Sequence, residues 1–406
     1  MKYYLMPLTN TEQLQPKNKG FAFALNNKER WIDLGDARDE VNTYDRGTTV
    51  LVYKNIPYNI FKDYVSIDEQ YRVYIGCQMN YDYDRLTETS DDYEYTSKKG
   101  ADGKKPTPKK VSANDSLAEK IKSSATDLTL QVEAGKFEEP LVFGAVDNIV
   151  VKGAKAGISA NKGSRATAEI GEDETVISGN ISVNGSSDVV LDGLTFTDGA
   201  KIAFDPEYSG KFSIKNCKFV SLAKGGSSKT MAININRGSL CTLDVRNNYF
   251  GSNDGSVYNG LELTGELTDG STIANNTFAK GFTTHNAINI YNVMNGATVY
   301  VNNNYCETVD FARIGIIGEP SCKISFNGNK YVQTATDEWN SPIIVQPYGK
   351  QTTSFKNCKI TISDMKPSAD EDLLVVAYGP NDTDVSKKLP IVQIDGKYVT
   401  PTVKAF

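Results

Sequence analysis

Histidine occurs once in 406 residues and tryptophan twice. One histidine excludes a multi-histidine zinc site and most histidine-driven catalysis. Six cysteines (Cys77, Cys217, Cys241, Cys306, Cys322, Cys358) are scattered with no CxxC pair. That spacing excludes zinc-ribbon chemistry and a dense disulfide framework, and the thiols are read as reduced, in a chain made in a reducing cytoplasm. No apolar run approaches the ~20 residues of a spanning helix, so no membrane insertion is expected. An excess of basic residues is also absent. Lys+Arg number 44 against 50 Asp+Glu, a net charge of −6, which excludes a phosphate-neutralising surface and hence a nucleic-acid partner. The opening MKYYLMPLTNTEQLQPKNKG lacks the apolar core of a signal peptide, so the chain is expected to stay in the cytosol unless something else carries it out.

What the chain does have is an ordinary globular balance, 39% apolar and 23% charged, with 22 tyrosines. The length suggests two or three domains. Composition shifts near residue 84. From Asp84 to Asp115 the chain is polar, carries Pro106 and Pro108, and has almost no aliphatic side chains. Such a segment cannot bury enough surface to offset its ordering entropy, so 84–115 is read as a linker or arm. Its lysines 104, 105, 109 and 110 are read as a solvated charge run, not an anion site. Residues 1–83 are Tyr-rich, with strand-like runs at 48–53 (TTVLVY) and 71–77 (YRVYIGC), and are read as a small β-rich anchoring domain.

Beyond the arm a repeat takes over. Six-residue windows from 191, 214, 245, 273, 301, 326 and 355 read LDGLTF, IKNCKF, VRNNYF, IANNTF, VNNNYC, FNGNKY and FKNCKI. Position one is apolar, position three is Asn or Gly, and position six is aromatic in five of the seven. The starts differ by 23, 31, 28, 28, 25 and 29 residues. A second series keeps phase with the first: AININ from Ala232, GLELT from Gly260, AINIY from Ala287, RIGII from Arg313, PIIVQ from Pro342 and LLVVA from Leu373. Neither series has helical periodicity, and propeller blades need ~40 residues or more. Two strands per ~27 residues predict parallel strands coiled at ~4.8 Å per turn.

The Asn column has a physical reason in such a coil. Asn and Gly tolerate the left-handed conformation a sharp turn needs, and stacked carboxamides bond from coil to coil. Asn216, Asn247, Asn275, Asn303 and Asn357 are therefore predicted to form a structural ladder. Phe196, Phe219, Phe250, Phe278 and Tyr331 are predicted to form an internal aromatic stack, not a sugar platform. The register puts Cys217 and Cys358 in equivalent positions several coils apart, beyond disulfide reach.

The segment SLAEKIKSSATDLTLQVEAGKFEEPLVFGAVDNIVVKGA from Ser116, followed by ETVISGNISVNGSSDVVLDGLTF, resembles the opening of the pectin-lyase-like right-handed parallel β-helix superfamily. The resemblance covers about 116–380. It implies an all-β chain: a right-handed parallel β-helix over 116–385, a C-terminal cap over 386–406, and a first helix, N-capped by Asp115 or Ser116, whose Leu117, Ala118 and Ile121 cover the first coil.

The superfamily includes polysaccharide enzymes, but their motifs do not carry over. Only ARIG at 312–315 is similar to a polygalacturonase element, and FDPEYSG at 204–210 resembles an epimerase motif without its histidine. Glu262 lies on a second-series strand, Asp244 beside a first-series one and Asp310 on the loop between, and His285 is read as a surface or edge histidine. No catalytic residue, metal site or cofactor is assigned. A small N-terminal module, a polar arm and a β-helix together resemble the plan of bacteriophage head or tail fibres and tailspikes. That resemblance implies a structural virion protein made in the host cytoplasm, a homotrimer that docks on other virion proteins through residues 1–115 and meets host polysaccharide. A depolymerising tailspike enzyme and a bacterial carbohydrate-binding adhesin are the competing readings.

Overall fold

In the computed structural model the chain separates into two compact units, Met1–Lys105 and Pro106–Phe406. The structure describes residues 108–405, apart from 123–126, 145–147, 223–229, 254–255, 335–340, 347–353, 366–371 and 379–383, together with four short strands of the first unit. Those strands form two antiparallel pairs, Val50–Tyr53 with Ile56–Asn59 and Val65–Ile67 with Val73–Ile75. The rest of the expected arm up to residue 107, with Lys104, Lys105 and Cys77, lies outside the described residues.

The second unit is an all-β parallel β-helix. Its three sheets contain 8, 10 and 13 strands, and neighbouring strands in each come from successive coils. One coil shows the plan: Leu240–Arg246 lies in the 13-stranded sheet, Tyr249–Phe250 in the 8-stranded sheet and Asn259–Leu263 in the 10-stranded sheet. The coils up to Gln333 thus have three strands where the repeat suggested two. The missed strand is two to four residues long and falls in the second half of the first six windows, too short to show its own alternation. The second series falls on the 10-stranded sheet, with RIGII set two residues late, since Ile288 pairs with Ala312.

Alternation drives each strand's placement. In Leu240–Arg246 every second residue is buried, and the same holds in Leu128–Val132 and Cys358–Ser363. The inward set forms one continuous apolar core from Val111 to Val392. The helix Leu117–Lys122 closes the first coil, with Leu117, Ala118 and Ile121 buried. Ser116 is its N-cap, accepting from Glu119 N–H at 3.1 Å. Glu139 ties the cap down, accepting from Ser116 Oγ at 2.7 Å and Ala118 N–H at 2.8 Å. Asp115 instead accepts from Ser112 N–H and Oγ at 2.8 and 2.9 Å, which holds its carboxyl below the ordinary value.

The solenoid also starts before Ser116. Lys109–Val111 pairs in parallel with Leu128–Val132, burying Val111 and leaving Lys109 and Lys110 exposed. At the other end, Ile391–Ile394 continues the 13-stranded sheet, then folds back through Asp395 and Gly396 to Lys397–Val399. Both turn residues have positive φ (45° and 80°), as a two-residue hairpin requires.

The ladder lies one residue further along than the repeat suggested. Asn216, Asn247, Asn275 and Asn303 do adopt left-handed φ (54–57°), with Gly193 and Gly328 at the same corner. Their side chains sit at the bend. The next residue, just before the following strand, is buried and carries the coil-to-coil bonds. Asn248 Nδ2 donates to Asn276 Oδ1 at 3.0 Å, Asn276 Nδ2 to Asn304 Oδ1 at 2.9 Å and Asn304 Nδ2 to Asn329 Oδ1 at 3.0 Å. Backbone N–H groups join the same acceptors: Cys217, Asn248, Asn276 and Asn304 each donate to the next coil's Asn Oδ1 at 2.9–3.0 Å. All four ladder amides are essentially inaccessible to solvent.

Asn357 belongs to neither set. It is exposed, and its Nδ2 reaches Glu319 O at 3.4 Å. The window at 355 is out of register because Phe326 pairs with Ile362, so Asp364 (φ 49°) takes the turn position. Burying Ile360 and Ile362 outweighs the local Asn-Cys likeness.

The aromatic stack holds for four members. Ring centroids of Phe196–Phe219, Phe219–Phe250 and Phe250–Phe278 lie 4.7, 4.6 and 4.5 Å apart. Cys306 pairs between Phe278 and Tyr331 and interrupts the column. Tyr331 packs beside Phe311 instead, with centroids 6.4 Å apart.

Asn276→Ala removes four bonds made by a fully buried amide, to Val245 O, Asn304 Oδ1, and the N–H and Nδ2 of Asn248. At ~1 kcal/mol each the expected loss is roughly 3–4 kcal/mol by chemical denaturation. Asn275→Gly keeps the left-handed corner and is expected to change stability little. The reverse order of effects would return the ladder to the corner residues.

Candidate functional site

On the 10-stranded sheet the inward residues Ile233, Leu261, Ile288 and Ala312 are apolar and fully buried. Period-two alternation therefore aims their neighbours outward. Those neighbours form one polar row across four successive strands, Asn234, Glu262, Asn289 and Arg313, paired in register. Beside it the strands open with a second row, Asn259, Asn286 and Asp310. Asn286 pairs with Asp310, and Asn286 N–H donates to Asn259 Oδ1 at 3.2 Å.

Glu262 is the centre of the cluster. Its Oε2 accepts from Asn259 Nδ2 at 2.8 Å and from Asn289 Nδ2 at 2.7 Å. Burial pushes its carboxyl above the ordinary value, while those two bonds and the positive charge of Arg313 pull the other way. Arg313 Nη2 lies 3.5 Å from Asp310 Oδ2, one strand beyond Asn289. Around these bonds the patch keeps spare capacity: Asn286 Oδ1, Asn289 Oδ1 and Arg313 Nε are buried with no protein partner. Buried polar atoms are ordinarily satisfied. These three atoms on adjoining strands, two acceptors and one donor, are closed off from bulk solvent and suit enclosed water.

The remaining acids and the histidine lie elsewhere. Asp244 is on the 13-stranded sheet, where it bonds Arg246 and Ser213. His285 is half-buried, its ring centroid 4.4 Å from that of Tyr258 and its Nδ1 3.0 Å from Thr284 O. In the 204–210 segment, Glu207 N–H donates to Asp205 Oδ1 at 2.9 Å, and Tyr208 is buried with its hydroxyl 3.0 Å from Ser187 O, so the segment is a structural turn. Among the described residues no group of three or more His, Cys, Asp or Glu side chains is placed to hold a metal ion. No described helix is long and apolar enough to cross a membrane.

A second charged cluster is structural. Residues 153–174 run along the corner column and collect its carbonyls: Arg165 Nη1 donates to Asn216 O at 2.9 Å, Ala160 N–H to Asn247 O at 2.9 Å, and Asn161 Nδ2 to Asn275 O. Glu174, buried at the end of this strap, receives Thr195 Oγ at 2.7 Å and faces Lys218 Nζ at 3.4 Å and Arg165 Nε at 3.5 Å. These ions hold the strap against the coils.

The residues nominated as a ladder and a stack are thus corner and core, while the outward polar row was missed as a set. Glu262, Asp310 and the ARIG segment were each noticed singly in the sequence. Their signal was the even spacing of second-series residues, which places alternate positions on one outer face. The chain matches no family model, no curated protein and no solved structure at a significant level.

A carboxyl whose native proton affinity is raised is more stable protonated. Above the ordinary value of 4.5, the unfolded chain releases this proton while the native state retains it. Stability from this group therefore falls as pH rises from ~4.5 through the native value. Glu262→Gln keeps an acceptor for both amides and removes the ionisation. Its stability relative to the parent is expected to improve as pH rises above ~4.5 and to level off once the native carboxyl has ionised. A difference that is flat with pH would place Glu262 in ordinary solvent.

Proposed function

We propose that this chain is a non-enzymatic virion fibre or spike of the pectin-lyase-like kind, whose β-helix holds a host surface polysaccharide on the outer face of its 10-stranded sheet. The observation that carries the reading is the in-register Asn234–Glu262–Asn289–Arg313 row, in which Asn234, Glu262 and Arg313 are partly exposed to a ligand. Carboxamides, a carboxyl and a guanidinium are the groups that bond vicinal sugar hydroxyls, and Arg313 also suits an acidic sugar. A sheet fixed by coil-to-coil bonds offers them as a preorganised surface, which lowers the ordering cost of binding. In this reading the first unit docks on other virion proteins and the shaft assembles as a trimer.

A second reading, a polysaccharide-cleaving spike, is favoured by one observation. Glu262 has the raised proton affinity of a general acid, and Asp310 with Arg313 lies two strands away.

Arg313→Ala is expected to weaken binding of capsule or surface oligosaccharides at least 10-fold by calorimetry, from loss of a charge-assisted contact. The melting temperature is expected to fall as well, since buried Asp310 loses its ion partner, so affinity is measured well below the unfolding transition. Unchanged affinity would remove the glycan site from this face. Incubation with host capsule separates the two readings: new reducing ends or unsaturated sugars, abolished by Glu262→Gln, would make the chain an enzyme. Mass spectrometry of purified virions tests the particle assignment, and absence of the chain there would favour a cell-surface adhesin.

A further inference from the structure

The shifted register of the last coils has a chemical result. Cys358 falls directly beside Cys322, the two being paired as the first residues of neighbouring parallel strands. Both point inward, 5% and 1% exposed, and both are free thiols. In-register parallel neighbours lie ~4.8 Å apart at Cα, inside the 4.4–6.8 Å over which disulfides form. Their Cβ atoms, on parallel bonds, stay near that spacing, wider than the ~3.8 Å typical of a relaxed bridge. Each cysteine begins its strand and follows a turn or irregular segment, where small backbone adjustments are least costly. None of the other three described cysteines has a cysteine as its register partner: Cys241 pairs with Gly210 and Leu267, Cys306 with Phe278 and Tyr331, and Cys217 follows the Asn216 corner and bonds Asn248.

We propose that Cys322 and Cys358 are an oxidisable pair that closes into a disulfide between adjacent coils when the protein meets a hydroperoxide. The Cys358 thiol donates toward the Cys322 sulfur, which lowers the proton affinity of Cys322 and raises that of Cys358. Cys322 is also the more exposed of the two. Cys322 is therefore the first nucleophile. Its thiolate attacks one peroxide oxygen, the O–O bond breaks, and the departing hydroxide takes a proton to leave as water. The sulfenic acid so formed on Cys322 is attacked by the Cys358 sulfur. An S–S bond forms, the S–O bond breaks, and the hydroxyl leaves as water with the Cys358 proton. Two thiols and one peroxide give one disulfide and two waters. The bridge closes a loop spanning one complete coil, 323–357, fastening that coil to its neighbour with only a small adjustment at the two strand starts. Because the parallel spacing holds the sulfurs slightly apart, the bond is strained and reducible, so the pair stays open in a reducing compartment and closes outside it.

The test uses the full-length wild-type chain, treated with hydrogen peroxide under native conditions, alkylated and digested without reductant. The expected product is a single cross-linked peptide joining Cys322 to Cys358, with the intact mass reduced by two hydrogens and reversal by dithiothreitol. The unfolding midpoint of the oxidised chain is expected to rise by roughly 3–5 °C. Cys322→Ser and Cys358→Ser should each abolish both the cross-link and the rise. Irreversible sulfinic acid at Cys322, a bridge to another cysteine, or a 322–358 link formed only after denaturation would each overturn the proposal. The wild-type peptide map decides the matter even where a serine variant fails to fold.

Discussion

Everything in the solenoid rests on coils lying in register, and a column of buried carboxamides enforces it. Asn248, Asn276, Asn304 and Asn329 each receive a backbone N–H from the preceding coil. Each also returns its own amide hydrogen to a carbonyl of that coil, at Ile214, Val245, Ile273 and Val301. A slip of one residue would leave such groups buried and unsatisfied, at a cost of ~1–3 kcal/mol each, besides turning the apolar faces outward. Apolar burial excludes slips of one residue, and hydrogen-bond geometry also excludes slips of two, which would keep the same face inward. The core supplies the driving force and the amides set the phase.

Much of this was legible in the sequence because the repeat writes the two roles side by side. In VRNN, IANN and VNNN, corner and ladder are both Asn, so the reading chose the first and missed the second. FNGN separates them: Gly328 takes the left-handed corner and Asn329 remains as the bonding amide. IKNC separates them too, since the Cys217 sulfur accepts Leu194 N–H where an amide oxygen would otherwise stand. The window at Phe355 was misread for a different reason. Its Asn-Cys pair imitates the motif, and only the buried alternation of Ile360 and Ile362 reveals the true phase.

The outer polar row was harder to see. Its members are spaced by whole coils of unequal length, 28, 27 and 24 residues from Asn234 to Glu262, Asn289 and Arg313. Only pairing across strands makes them neighbours, and RIGII had been set two residues late. The row also breaks the local rule that strand residues facing out are well hydrated. Glu262 is desolvated by its surroundings, and Asn286 and Asn289 are nearly inaccessible. Stability alone does not favour such an arrangement, and departures from local consistency concentrate where a protein binds or reacts.

The 28-residue interval shared by Asn248, Asn276 and Asn304 has an evolutionary reading. A chain built on one identical joint can lengthen or shorten only in whole coils, because a fractional change breaks every joint beyond it. Excursions such as 153–174 leave from a corner and return to the same strand path, so they grow or shrink without disturbing the count. Solenoid length therefore changes in discrete steps, while the excursions between corners vary continuously. A lineage of such proteins would conserve its spacing at the corners and diversify between them.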